Sequence, residues 1–184
     1  MRKLTLLGLA VLFCTVPAQA QTSEPISAND TVMVTVEPVG GTNQFKVDVF
    51  VVNAGKVAGL PLPFKVSAES TKLVFDSASY EEGRVAYFQG KFENADTTGQ
   101  TLLLGLIADL SGSKPPLAPG RGHACSIFFT AKKPVEADAI AIEPVVIPPA
   151  NRLEYNVYEG DQLVSVIPTF VRGKVAQKKA DPAE

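Results

Sequence analysis

Any chemistry in this chain has to come from very few reactive side chains. His123 is the only histidine, and the only cysteines are Cys14 and Cys125. Base catalysis by His123 would need a nucleophile and an orienting acid within reach. Its neighbours Arg121, Gly122 and Ala124 fill neither role, so His123 reads as a loop-end histidine in contact with solvent. One histidine and the single cysteine beyond the amino-terminal segment cannot supply the usual zinc ligand set, and no metal site is expected. Cys125 alternates with Ile127 and Phe129, which places it among small buried residues. A reactive thiol would need an electropositive, partly exposed setting instead.

Carboxylates are more plentiful: Asp76, Glu81, Glu82, Glu93, Asp96, Asp109, Glu154, Glu159 and Asp161. A glycosidase sets two of them about 5 Å or about 6.5–9.5 Å apart across a sugar. Here they fall mostly at turns, where acids are simply solvated. The short runs Asn94-Ala95-Asp96 and Glu159-Gly160-Asp161 offer fewer oxygens than a calcium ion takes. The chain is therefore read as no enzyme, with no catalytic residues and no cofactor. Tyr80, Tyr87, Phe88 and Phe92 form the densest aromatic group. Strict alternation would put Tyr87 and Phe88 on opposite sides, so one of them belongs to the core.

The elements that must position these residues begin after an export signal. Arg2 and Lys3 precede an apolar run over 4–16, and Ala18-Gln19-Ala20 is a small-residue cleavage site. That run is about 13 residues, short of the roughly 20 that span a bilayer. The expected organisation is a signal peptide at 1–20, a flexible leader at 21–30, one domain at 31–173 and a flexible charged tail at 174–184. The expected location is periplasmic, cell-surface or extracellular, with no transmembrane span in the mature chain. Removing Arg2 and Lys3 from the 17 basic residues leaves about 15 against 19 acidic ones, and no basic patch invites nucleic acid. With one remaining cysteine, no internal disulfide can form, so the domain must rest on its core.

Within 31–173 the period is two. Val32, Val34 and Val36 alternate with Thr31, Met33 and Thr35, and Phe45, Val47, Val49 and Val51 alternate with Lys46, Asp48 and Phe50. Asn53-Ala54-Gly55-Lys56 is a turn, after which Leu62, Phe64 and Val66 share one face. Further strands are expected over 72–80, 84–92, 102–108, 124–131, 137–147, 153–158 and 163–172. Residues 94–99 and 109–122 read as loops. No stretch carries a capped helical period; Pro134 and Pro144 interrupt the one Ala-rich segment. About nine strands punctuated by Gly, Pro and Asn describe an all-β, antiparallel, jelly-roll-like β-sandwich.

The order of these pieces resembles the cohesin domain, a sandwich related in fold to certain carbohydrate-binding modules. The similarity runs through FKVDVFVVNAGKVAGLPLPFKV, LVFDSASYEEGRV, TLLLGLIADLSG, GHACSIFFTAK and SVIPTFVRGKV, and covers most of 31–175. The chain departs from the family at 67–71, where SAEST replaces a Tyr-Asp-Pro-like turn. What the resemblance implies is a non-catalytic module that binds a protein partner of dockerin type through one sheet face. It places Lys65, Ser67, Arg84 and Phe88 on that face, in strands 61–68 and 84–92. Two alternatives stay open: a carbohydrate-binding module of the same architecture recognising polysaccharide, and a structural subunit of a cell-surface assembly. The absence of tryptophan, a favoured sugar-stacking residue, tilts the reading toward protein.

Overall fold

The computed structural model describes residues 30–40 and 43–173. The expected signal peptide, nearly all of the leader and the charged tail lie outside the described residues. Eleven strands follow in chain order: β1 (Thr31–Pro38), β2 (Gln44–Asn53), β3 (Lys56–Ala68), β4 (Leu73–Ser79), β5 (Gly90–Asp96), β6 (Thr101–Ile107), β7 (Gly120–Ala131), β8 (Ile140–Pro144), β9 (Tyr155–Glu159), β10 (Gln162–Val166) and β11 (Thr169–Arg172). A single 3-10 turn, Ala137–Ala139, precedes β8. They form a five-stranded sheet in the order β11-β1-β2-β7-β4 and a second sheet in the order β10-β9-β3-β6-β5. Strand β8 joins the second sheet by pairing with the Phe64–Ala68 end of β3, beyond the stretch where β9 pairs with it. All ladders but one are antiparallel; β11 runs parallel to β1.

The two sheets face each other across one apolar core. Alternation sends Val32, Val34 and Val36 of β1 inward, with Val47, Val49 and Val51 of β2. Leu60, Leu62, Phe64 and Val66 of β3 meet them from the other side, flanked by Leu102, Leu104 and Leu106 of β6. Cys125, Ile127 and Phe129 of β7 are buried together, as their spacing predicts. Two irregularities keep the pattern in phase. A bulge at Ala58 lets Val57 and Leu60 both face the core, and one at Ala124 does the same for Ala124 and Cys125.

Two expected strands and one expected loop are corrected. Residues 84–92 do not form one: Ala86 bonds back to Gly83 and Phe88 to Val85, so the segment turns twice before β5 begins at Gly90. Its buried residues, Val85 and Phe88, are spaced by three rather than two, the mark of a turn. Gly83 starts this segment because a Cβ there would lie 2.1 Å from the Ala124 carbonyl oxygen. Residues 94–96, expected in a loop, extend β5. The expected strand 163–172 is split between sheets, with β10 in one and β11 in the other. The break falls at Ile167-Pro168, where proline cannot donate to a ladder.

Phe64 lies at the centre of this core, fully buried and 6.2 Å from the Phe170 ring. Phe64→Ala should therefore cost about 3–5 kcal/mol, read as a lower urea midpoint with an unchanged slope.

Candidate functional site

The four residues expected on one face are not brought together. Lys65 and Ser67 do lie on the outer side of β3, where Lys65 sits between Thr101 of β6 and Glu143 of β8. Phe88 is only 3% exposed and packs in the core, its ring edge-on to Tyr87 at 5.2 Å. Of the two, Tyr87 is the exposed one. Arg84 is at the opposite end of β3 from Lys65, and the strand between Lys56 and Lys65 runs about 30 Å.

Arg84 is a cross-link. Its Nη1 donates to Asn53 Oδ1 at 2.7 Å and to the Gly120 carbonyl at 2.9 Å, and its Nη2 donates to the Ala118 carbonyl at 2.6 Å. Asn53, fully buried, in turn donates through Nδ2 to the carbonyls of Gly55 and Ala118. The end of β2, the start of β7, the loop before it and the 84–89 turns are thus tied at one guanidinium. Glycine makes room for it: a Cβ at Gly122 would come within 2.9 Å of Arg84 Cδ, and one at Gly120 within 3.0 Å of its Nη2. Burial lowers the guanidinium's proton affinity, yet arginine stays charged at any ordinary pH.

The outer face of the five-stranded sheet holds what the sequence leaves scattered. His123 lies within β7, not at a loop end, and stands opposite Phe50 with the rings edge-to-face at 5.5 Å. Its Nε2 is 3.1 Å from Ser126 Oγ and 3.4 Å from Asp48 Oδ1. Ser126 Oγ donates to Asp48 Oδ1 at 2.6 Å, and Lys46 pairs with Asp48 at 2.9 Å and with Glu37. Histidine, serine and aspartate therefore meet, but not as a relay. In a relay the acid holds Nδ1–H while Nε2 takes the serine proton. Here both contacts use Nε2 and the serine proton points at the acid. Burial pushes the Asp48 carboxyl up, but the Ser126 and Lys46 hydrogen bonds and the Lys46 charge outweigh it and hold it below 3.8. Cys125 is sealed in the core beneath; burial first, then the nearby Asp48 and Glu93 charges, push its thiol up to about 12. Among the described residues, no group of three or more His, Cys, Asp or Glu side chains is placed to hold a metal ion.

The outer face of the second sheet is different in kind. Phe92 of β5 is 55% exposed and lies over Gly105 of β6, where a Cβ would be 3.6 Å from its ring. Leu103 and Ile107 flank Gly105 on β6, and Pro61 continues the row onto β3. On the far side Tyr158 of β9 and Leu163 of β10 are exposed as well. Between them runs a groove of about 330 Å³ whose walls include Ile107, Asp109, Lys114, Pro116, Tyr158 and Leu163. The 109–119 loop forming one wall is pinned. Asp109 Oδ1 accepts the amides of Ser111 and Ser113, Gln89 bonds both serine hydroxyls, and Leu117 bridges to Val57. No helix among the described residues is long and apolar enough to cross a membrane.

No protein-family model matches the chain, and no curated protein matches it. Solved structures do. The sixth cohesin of scaffoldin B from Acetivibrio cellulolyticus, crystallised with a dockerin, superposes with a TM-score of 0.57 at 14% identity, covering 82% of this chain and 100% of that one. A cohesin–dockerin complex from Clostridium thermocellum gives 0.57 at 9% identity, covering 80% and 99%. A type I cohesin from Pseudobacteroides cellulosolvens gives 0.55 at 12% identity over 86% and 99%. The fold is a cohesin-like β-sandwich.

Two residues once grouped together should now separate. Arg84→Ala strands Asn53 Oδ1 and takes a donor from the Gly120 and Ala118 carbonyls, and should cost about 2–4 kcal/mol in chemical unfolding. Lys65→Glu, on the open face, should stay within about 0.5 kcal/mol of the parent. Acid titration gives a further outcome. Because the folded-state value of Asp48 is depressed, its stabilisation is whole above 3.8 and disappears as pH falls through that lower value. Asp48→Asn should lower stability at neutral pH and flatten the loss on acidification, measured by urea midpoints between pH 7 and pH 2.

Proposed function

We propose that the protein is an exported, non-catalytic binding module that recognises a protein partner, of dockerin type, through the outer face of the six-stranded sheet. The observation that carries this reading is the contrast between the two outer faces. On one, charged and polar groups are spent on each other across β1, β2 and β7. On the other, Phe92, Leu103, Ile107, Tyr158 and Leu163 are offered outward with no partner elements over them among the described residues. An apolar core with a polar margin is what a protein–protein surface needs. Lys65, Ser67 and Glu143 supply that margin at the β3–β8 end. The likeness to cohesins crystallised with dockerins supports the choice of partner class.

The expected division into leader, domain and tail is part of the same proposal: a single domain exported on a cleaved signal, with short polar segments on either side. Nothing in the reading requires a cofactor, and the Ser126–His123–Asp48 arrangement is assigned a structural role.

The test is capture from the secreted proteins of the source organism, with and without calcium, since dockerins need that ion. A calcium-dependent partner is expected. Phe92→Ala combined with Tyr158→Ala should weaken its binding at least about tenfold, by truncating two aromatic anchors, and leave the melting temperature within a few degrees. Capture that is indifferent to both substitutions would contradict the assignment of the face. Retention on insoluble polysaccharide gels with no protein partner would contradict the class.

A further inference from the structure

Among the described residues five strands have an unpaired side, and four of them are guarded; β8 carries Glu143, ends at Pro144 and has its Ile140 carbonyl taken by Arg172. Strand β5 carries Lys91, Glu93 and Asp96, and β4 carries a bulge at Asp76. Strand β11 is only Thr169–Arg172, entered through Pro168 and closed by Arg172. Charges, bulges, prolines and shortness are the devices that keep sheet edges from pairing with another chain. Strand β10 has none of the chemical ones. Its sequence is Gln-Leu-Val-Ser-Val, and among the described residues nothing pairs with its outer side. Leu163 on it is 56% exposed, and Ile167 just after it is 67% exposed.

The register fixes which groups that edge presents. Strands β9 and β10 are joined by a two-residue turn, Gly160-Asp161, with Glu159 opposite Gln162. Gly160 has φ +63°, the glycine-favouring conformation that such a turn asks of its first central residue. In an antiparallel hairpin of this kind the pair flanking the turn is hydrogen-bonded, and bonded pairs then alternate. Gln162, Val164 and Val166 therefore turn their amides and carbonyls toward β9, while Leu163 and Ser165 turn theirs outward. Pro168 shares the parity of the inward set, so its missing amide costs the open edge nothing.

We propose that β10 is a homodimerisation edge, pairing antiparallel with β10 of a second copy about a two-fold axis through Ser165. A second copy is the occupant because the segment is complementary to itself in that register. Ser165 meets Ser165 in a bonded pair, with small side chains where the axis crowds them. Leu163 of each copy lies opposite Ile167 of the other on the outer surface, which buries the two most exposed aliphatic side chains of this region together. Val164 and Val166, both half-buried, face each other on the core side and continue the apolar layer. The acidic hairpin tips are kept from repelling: Asp161 and its copy are about 26 Å apart at strand spacing. The result is one sheet running through both protomers. It leaves Phe92 and Leu103, on the β5 and β6 side, uncovered.

Sedimentation velocity on the purified protein, up to roughly 0.5 mM, would detect even a weak homodimer. A concentration-dependent dimer is expected. Ser165→Pro removes an outward amide without touching a β9 bond, and Leu163→Lys places a charge on the edge. Each should raise the dimer dissociation constant at least about tenfold. The β-sheet circular dichroism spectrum should be unchanged, and the charge variant serves if the proline variant fails to fold. A monomer at every concentration overturns the proposal, as does a dimer that Leu163→Lys leaves intact. An edge that instead takes up an extended peptide from another protein would show as a monomer here.

Discussion

A sandwich has one inside, and everything else about this protein follows from how strictly its sequence respects that. The long strands turn alternate residues to the shared core, and among the described residues no third layer buries a second set. Roughly 25 cal/mol per Å² of apolar surface removed from water makes that layer of Val, Leu, Ile and Phe side chains the main source of stability. A one-residue slip would turn any of these rows to solvent. The bulges at Ala58 and Ala124 are where the chain absorbs an extra residue without paying that penalty. Chemical individuality is confined to the two outer faces and the ends.

The ends and the faces are then handled differently. At one end the 84–89 turns insert Val85 and Phe88 as a plug, and Arg84 satisfies the carbonyls that the plug and the neighbouring loop would otherwise strand. A half-buried guanidinium is held here by the carbonyl and amide oxygens aimed at it. On the five-stranded face, Lys46, Glu37, Asp48, Ser126 and His123 satisfy one another, so that surface has little left to offer a ligand. On the six-stranded face, glycines at 90 and 105 let the Phe92 ring lie against the backbone and leave it open above. The apolar outer surface therefore lies on this face, and the groove beside Tyr158 and Leu163 extends it toward β10.

Much of the fold is legible in the sequence because period two is a local signal. Strands β1, β2 and β7 lie where their alternation puts them, and Cys125 is buried as its spacing with Ile127 and Phe129 requires. The 84–92 segment misleads because aromatic residues favour strands, while the i, i+3 spacing of Val85 and Phe88 carries the true signal of a turn. The alternating glycines of Gly120-Arg121-Gly122 could have pointed to a bulky side chain lying across them, though not to Arg84 in particular. Site residues were less legible. Lys65 and Ser67 do reach an outer face, but Phe88 is core and Arg84 is a cross-link. His123 meets Asp48 only through the pairing of β2 with β7, a long-range register that no local pattern contains, and it reaches Ser126, three residues on in the same strand, across the bulge at Ala124. Tyr158 and Leu163 could not be placed on the same face as Phe92 until the strand order was known.

The central claim is that one outer face, and not the other, meets the partner. Methyl-resolved nuclear magnetic resonance during titration with a calcium-loaded dockerin-type partner tests this directly. The account predicts shifts at Leu103 and Ile107, with the methyls of Met33, Val52 and Val171 on the opposite sheet unmoved. Shifts centred on that second group, or none at saturating partner, would contradict it.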